Sequence, residues 1–95
     1  MNTKELEILH ILMEEAAEVI QAVTKGNRFG YDFIKPGTNK TNREHLAEEL
    51  GDLLAMITLC HDFGIVDFQE VMEAKDAKFE KLQKWSTIYE KTESI

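Results

Sequence analysis

The sequence has little of what disulfide-rich or membrane-spanning proteins need. Its 95 residues include one cysteine and one proline. A lone cysteine builds no disulfide framework, so we expect Cys60, which lies in an apolar run, to be a small buried side chain in a reducing cytoplasm. No apolar run approaches the ~18 residues of a membrane span. The first residues are typical of a charged helix, which argues against a signal peptide.

Positive charge is also scarce, with 11 lysines and arginines against 18 acidic residues and a net charge of −7. Nucleic acids and anionic membranes are recognised through basic surfaces, so the composition argues against both as partners. A nucleotide is still compatible, because metal ions can hold its phosphates. The length allows one domain, residues 1–95, and a domain this small is marginally stable unless it forms oligomers.

Apolar periodicity predicts an all-α fold with three main helices. The predicted helices span residues 3–25, 42–62 and 68–84. Thr3 is expected to cap the first helix and Gly26 to stop it, while a capping box at residues 41–44 opens the second. Asp67 is expected to cap the third helix. Residues 86–95 are interpreted as a polar tail.

The first helix carries a stripe of apolar residues at 3-4 spacing, which we expect to face the core. Its members are Leu6, Leu9, Met13, Ala16, Ile20 and Val23. Other apolar residues lie on the remaining sides of the same helix, so we expect it to be buried on more than one side. Between the first two helices, residues 26–40 form a long loop with basic and aromatic side chains. It is either a phosphate- and base-binding loop or a solvated crossover held by its aromatic residues.

Two acidic motifs, at residues 14–18 and 48–52, lie within these helices. Glu15 and Glu18 are three residues apart on one helical face, as are Glu49 and Asp52, and like charges at this spacing repel. The stripe that carries the second pair continues into apolar residues, which are Met56, Leu59 and Phe63. Buried carboxylates must be paired, protonated or bound to metal. The alternative is that both acidic faces are solvated surface, which the apolar continuation of the stripe makes less favourable for the second pair than for the first.

Four carboxylates on two helices match the oxygen ligands that hard divalent cations prefer, and Mg²⁺ in particular, with Mn²⁺ as a substitute. In the two acidic motifs, no histidine follows Glu14, Glu15, Glu48 or Glu49 at i+3, as a di-iron site would need. The cysteine and histidines do not have zinc-site spacing either. His10 and His45 are interpreted as packing or hydrogen-bonded residues.

A magnesium cluster in a small acidic helical protein favours phosphoryl chemistry. Glu14 and Glu48, the carboxylates beside each pair, are candidates to activate water. Four basic residues are candidates to stabilise a leaving pyrophosphate. They are Lys25, Arg28, Lys75 and Lys78.

The acidic motifs, with the Leu-Gly-Asp-Leu run at residues 50–53, resemble the signature of MazG-type all-α nucleoside triphosphate pyrophosphohydrolases. The stretches at 25–30 and 36–42 resemble short single-domain members from phages and mobile elements. The segment at 75–79 resembles the family's third helix, with Asp76 where Asn or Asp is common. The resemblance covers about residues 6–82.

This resemblance implies hydrolysis of nucleoside triphosphates to monophosphate and pyrophosphate, as removal of non-standard or surplus nucleotides. It implies a homodimer or homotetramer of the four-helix-bundle type. By position, its Mg²⁺ ligands are Glu15, Glu18, Glu49 and Asp52. The substrate-binding candidates are Lys25, Arg28, Phe29, Asn42, Lys75, Asp76 and Lys78. Two alternatives are the phosphoribosyl-ATP pyrophosphatase of histidine synthesis and a non-catalytic metal-binding assembly module.

Overall fold

A computed structural model of the chain describes residues 1–90. This part forms three α-helices, which are α1 (Thr3–Phe29), α2 (Asn42–Asp62) and α3 (Phe68–Trp85). Its one extended pairing is an isolated antiparallel bridge between Ile34 and Thr41. The predicted all-α fold with three main helices is therefore confirmed, whereas its assembly into an oligomeric bundle stays a prediction.

The helix ends follow local capping chemistry. Thr41 caps α2 in a capping box with Glu44, and α2 has the predicted bounds. The predicted first residue of α1, Thr3, is confirmed, whereas the predicted cap and the predicted end of this helix were wrong. Asn2, not Thr3, is its N-cap, because Asn2 and Glu5 form a second capping box. The helix ends at Gly30, whose positive φ of 97° suits a glycine terminator.

Gly26 does not stop α1 because it serves another purpose inside the helix. It is buried, and the ring of Tyr31 lies against it, in the space that a β-carbon would fill. The Tyr31 hydroxyl donates to Oδ1 of Asn27 at 2.7 Å and also contacts the Val23 carbonyl oxygen at 3.3 Å. The loop that follows α1 is thereby folded back onto the helix that precedes it.

The two long helices run antiparallel and enclose a small core. Ile8 near the start of α1 packs with Met56 and Cys60 near the end of α2, while Gly30 at the end of α1 contacts Asn42 at the start of α2. Partly buried residues surround this core, and they are Leu9, Ile11, Leu12, Leu59 and Ile65. Cys60 is a buried free thiol, as expected.

The predicted core stripe of α1 was largely wrong. Leu6, Met13 and Ile20 are 54%, 63% and 67% exposed, and the face that meets α2 is the one with Ile8, Ile11 and Leu12. Because α1 is apolar around much of its circumference, periodicity finds two candidate faces and does not say which one packs within the subunit.

The structure divides into two compact units, Met1–Ile65 and a second one from Val66 onward. The single domain over residues 1–95 stays a prediction. In the second unit, Asp67 caps α3 by accepting from the Glu70 N–H at 3.1 Å. Of the predicted tail at 86–95, residues 87–90 form a turn, and residues 91–95 lie outside the described part. Within residues 1–90, every helix is too short or too polar to cross a bilayer.

Candidate functional site

The loop between α1 and α2 is held by main-chain hydrogen bonds. The Lys35 N–H donates to the Lys40 carbonyl oxygen at 3.1 Å, and the Asn42 N–H donates to the Phe33 carbonyl oxygen at 3.0 Å. The N–H of Arg43 donates to the carbonyl oxygen of Tyr31 at 2.8 Å. The loop therefore leads directly into the first turn of α2 and fixes its own side chains relative to both helices.

Three of the four predicted metal ligands meet between α1 and α2. Glu15, Glu49 and Asp52 each place a carboxylate oxygen so that the three atoms lie within 4.8 Å of one another. Glu49 and Asp52 come from one face of α2, one turn apart, and Glu15 faces them from α1. Glu18 is not part of this group, which we call the acidic cluster.

The acidic cluster is electrostatically strained. Loss of solvent raises the pKa of the Glu15 carboxyl above its ordinary value, and neighbouring carboxylates raise it further. In falling order of effect these are Asp52, Glu49, Glu18 and Glu14. The only potential cation in an ion pair with the cluster, within the described residues, is His45, whose Nε2 lies 3.6 Å from Oε1 of Glu49.

The donor set fits a hard divalent cation. All three groups are carboxylates, which Mg²⁺ and Ca²⁺ prefer to nitrogen or sulfur ligands. The side chain of Glu49 is only 12% exposed, so its charge is poorly compensated by water. A bound cation would relieve the mutual repulsion of the three groups.

The two candidates for water activation differ in their surroundings. Glu48 forms an ion pair with Lys40 of the loop, and this hydrogen bond raises the pKa of the lysine. Glu14 makes no ion pair with any residue in the described part. Sequence reasoning missed Lys40, because nothing local links a loop lysine to a helical carboxylate eight residues away.

A cavity of about 260 Å³ lies at one end of the helix pair, between the last turns of α1 and the loop, whereas the acidic cluster lies near the middle of both helices. Its lining residues are Lys25, Phe29, Phe33, Lys35, Pro36 and Asn42. The rings of Phe29 and Phe33 are 6.0 Å apart and inclined at 31°. Arg28 lies over the Phe29 ring, with its Cζ 5.0 Å from the ring centroid. Three of the predicted substrate-binding residues therefore line one cavity, and they are Lys25, Phe29 and Asn42. A fourth, Arg28, packs against the Phe29 ring in the cavity wall.

Two positive charges border this cavity without a protein counter-charge. Neither Lys25 nor Lys35 forms an ion pair with any residue among 1–90. Lys35 and Phe33 were not among the predicted site residues, although the basic and aromatic composition of the loop pointed to them. An apolar cavity with two unpaired ammonium groups is suited to an aromatic ligand that carries negative charge.

Helical rise sets the separation between cavity and acidic cluster. Glu15 precedes Lys25 by ten residues on α1, which corresponds to ~15 Å. Glu49 follows Asn42 by seven residues on α2, which corresponds to ~10 Å. Because the two helices are antiparallel neighbours, both sites lie along the same pair of helices, at a spacing that suits the two ends of a nucleotide.

The predicted residues of α3 belong to the second unit. Lys75 pairs with the adjacent Asp76, with its Nζ 3.7 Å from Oδ1, and both side chains are exposed. Lys78 is also exposed. Their part in substrate binding stays a prediction.

The fold and the acidic cluster define an all-helical protein with a candidate divalent-metal centre between two antiparallel helices. The model of the MazG nucleotide pyrophosphohydrolase domain matches residues 3–87 of the chain. The chain therefore belongs to the MazG family, whose domain carries nucleotide pyrophosphohydrolase activity and whose members typically use divalent metals. No curated protein and no solved structure matches it.

Proposed function

We propose that this protein hydrolyses (deoxy)nucleoside triphosphates to nucleoside monophosphate and pyrophosphate with Mg²⁺, and so removes non-standard or surplus nucleotides in the cytoplasm. The observation that carries this proposal is the acidic cluster, in which three carboxylates of a MazG-family chain lie within 4.8 Å of one another. The buried free thiol of Cys60 is consistent with a reducing compartment.

In this proposal Glu15, Glu49 and Asp52 hold Mg²⁺, and Mn²⁺ can replace it. Glu18, one turn from Glu15 on the same helix, adds negative charge beside them and completes the ligand set if its side chain turns inward. A bound divalent cation would neutralise the triphosphate and polarise the phosphorus centre. The role of the three carboxylates is to hold that cation in place between α1 and α2.

Glu14 and Glu48 are the candidates to accept the proton of that water. The carboxylate of Glu48 already accepts a hydrogen bond from the Lys40 ammonium group. Glu48 must share or give up this hydrogen bond in order to act as a base. Glu14 needs no such change, which supports it as the first candidate to test. Lys40, once released from Glu48, would be free to contact a phosphate oxygen.

The cavity supports the proposed substrate class. Phe29 can pack against a base, while Lys25 and Arg28 supply positive charge for the phosphates. Asn42 contributes a polar contact at the cavity wall. Lys75, Asp76 and Lys78 remain proposed substrate-binding residues by resemblance alone.

We also propose a homodimer, or a homotetramer built as a dimer of dimers. The α1 stripe of Leu6, Met13 and Ile20 repeats every seven residues and is exposed, as a coiled-coil-like seam between helices would be. On α2, a second exposed apolar stripe consists of Leu50, Leu54 and Ile57. A small chain that leaves such stripes uncovered is expected to bury them against a second copy.

The proposal is tested by measuring pyrophosphate and orthophosphate separately after incubation with Mg²⁺ and a panel of triphosphates. Pyrophosphate is expected, and Glu49→Gln or Asp52→Asn should abolish its release. Glu7→Gln on α1 and Asp62→Asn on α2 are matched controls, because these exposed acids lie outside the acidic cluster and should leave the rate unchanged. Release of orthophosphate would contradict the assignment of the cleaved bond.

The same panel separates the alternatives. Turnover of phosphoribosyl-ATP in preference to all nucleoside triphosphates would identify the enzyme of histidine synthesis. Thermal stabilisation by Mg²⁺ alone, with no turnover and no further effect of nucleotide, would identify a non-catalytic module. A ligand at ~100 times its dissociation constant adds about 2.7 kcal/mol to the free energy of unfolding, which a melting experiment detects readily.

A further inference from the structure

Asn42 is the one buried polar side chain of the cavity. It is only 3% exposed, and its Nδ2 donates to the Gly30 carbonyl oxygen at 2.9 Å. Its Oδ1 accepts no hydrogen bond from residues 1–90. Every fully shielded side-chain oxygen or nitrogen in this part of the chain has a partner. The unpaired Oδ1 must therefore be reachable by solvent, and the space that Asn42 lines is the cavity.

The orientation of this amide is locked from outside the cavity. If the amide flipped, Oδ1 would face the Gly30 carbonyl oxygen, and two acceptors would oppose each other. Gly30 cannot easily turn away, because its own N–H donates to the carbonyl oxygen of Gly26 at 2.8 Å. The main chain of Asn42 is held as well, by its hydrogen bond to Phe33. The order of Oδ1 and Nδ2 in this amide is thus fixed by contacts of the protein itself.

Nucleobases fall into two groups when they meet such an amide. Cytosine and adenine present an exocyclic amine next to an unprotonated ring nitrogen, so both of their groups match the locked order. Uracil, thymine, guanine and hypoxanthine present a carbonyl oxygen next to a ring N–H. In the position that cytosine or adenine would take, that reversed order fits only the flipped amide, which Gly30 disfavours. Uracil and thymine match the locked order only through N3–H and O2, one position further along the edge, and guanine and hypoxanthine match it only when turned over. Each of these arrangements would displace the sugar.

We propose that Asn42 is a specificity-determining residue, and that the cavity selects nucleotides whose base carries an exocyclic amine next to an unprotonated ring nitrogen, as cytosine and adenine do. This inference rests on the proposed function and names the substrate class of the same site. Phe29 and Phe33 hold the ring by contacts that tolerate any base, so discrimination is left to the amide. Opposed acceptors in a buried site are expected to reduce kcat/KM by about 10- to 100-fold for the carbonyl-bearing bases.

The first measurement uses the unaltered protein and two pairs of substrates that differ only on this edge. They are dCTP against dUTP, and dATP against dITP, with pyrophosphate release as the readout. The amine-bearing member should have the higher kcat/KM in both pairs, by about tenfold or more. Equal values, or a preference for the carbonyl-bearing member in either pair, would overturn the proposal without any variant.

The second measurement assigns the preference to its residue. Asn42→Ala should bring both ratios close to one, mainly by lowering kcat/KM for the amine-bearing substrates. Asn39→Ala is the matched control, since Asn39 is an exposed residue of the same loop with no hydrogen bond to the described residues. It should keep both ratios. If Asn42→Ala retains the ratios, the selection is not due to Asn42, and the proposal fails.

Failure of the proposed function is visible separately. If none of the four triphosphates releases pyrophosphate, the enzymatic assignment is wrong. The cavity is then tested by melting the protein with dCMP or dUMP, which need no hydrolysis. A larger stabilisation by dCMP would still support the amide selection, whereas equal shifts, or none, would overturn it.

Discussion

Replacement of Gly26 by alanine tests how the loop is attached to α1. A β-carbon at Gly26 would overlap the Tyr31 ring, since even Cδ1, the third-nearest ring atom, would be 2.6 Å away. The same substitution at Gly51 on α2 meets no atom within 4 Å. The two glycines therefore form a matched pair of helical positions. A β-carbon at Gly26 forces the Tyr31 ring to move, whereas a β-carbon at Gly51 displaces no neighbour.

The structure allows the magnitude to be worked out. Alanine in a helix interior is more favourable than glycine by roughly 0.8–1.0 kcal/mol, so Gly51→Ala should stabilise the protein by about that amount. At Gly26 the same gain is opposed by overpacking, which typically costs about 1–3 kcal/mol. Displacing Tyr31 also breaks its hydrogen bond to Asn27, worth about 0.5–1.5 kcal/mol. The net loss for Gly26→Ala is therefore about 0.5–3.7 kcal/mol.

Urea unfolding followed by far-UV circular dichroism measures both changes at equal protein concentration, since association would otherwise shift the apparent stability. A double-mutant cycle with Tyr31→Ala isolates the contact. Without the ring, Gly26→Ala should become stabilising, like Gly51→Ala. The coupling energy is then the overpacking cost plus the lost hydrogen bond, about 1.5–4.5 kcal/mol. If Gly26→Ala destabilises the protein equally in both backgrounds, the contact with Tyr31 is not the cause. If it stabilises the unaltered protein, the reasoning is wrong altogether.

Three further predictions concern the cap of α2, the acidic cluster and the α1 stripe. Thr41→Ala should lower the free energy of unfolding by about 0.5–2 kcal/mol at neutral pH. The backbone N–H and hydroxyl of Thr41 hold the pKa of Glu44 below its ordinary value, so stability is lost as pH falls through that lowered pKa. The loss in free energy of unfolding caused by Thr41→Ala, measured in urea, should therefore become smaller at low pH. A loss that does not change with pH would show that the Glu44 carboxylate does not contribute to the cap. Glu15→Gln should raise the melting temperature in metal-free buffer, because it removes one of the crowded charges, and should abolish the stabilisation by added Mg²⁺; a variant that still responds to Mg²⁺ would refute the ligand role. Ile20→Lys should shift the protein to a smaller species in sedimentation equilibrium, whereas Gln21→Lys should not; an unchanged mass for both would remove the α1 stripe from the interface.

Local chemistry made the starts of α2 and α3 predictable, whereas α3 runs to Trp85, one residue beyond its predicted end. The capping box at Thr41 and the cap at Asp67 need only residues three positions apart. The end of α1 was not predictable in this way. Gly26 is a typical helix stop signal, but here its lack of a side chain makes room for the Tyr31 ring. The role of Gly26 therefore depends on a residue in the loop that follows the helix.

Helical periodicity alone was enough to predict the α2 part of the acidic cluster. The phase of α2 placed Glu49 and Asp52 on one face, and the structure adds Glu15 to them. Periodicity could not show that Glu18 lies outside the acidic cluster. Residues three apart on a helix, such as Glu15 and Glu18, differ by only about 60° around its axis and so share one face. The pairing of Lys40 with Glu48 and the position of Lys35 at the cavity depend on the path of the loop, which has no periodic signal.

The cavity and the acidic cluster are built on opposite principles, and this difference has a functional consequence. At the cavity, the contacts of Tyr31 with Gly26 and of Asn42 with Gly30 satisfy polar groups and fix one arrangement before any ligand binds. Near the middle of the helix pair, the acidic cluster leaves like charges close together, and in the proposed function a bound cation would compensate them. Recognition at a rigid cavity and chemistry at a cluster completed by its metal would let a poorly matched nucleotide be rejected before the reactive phosphates are aligned.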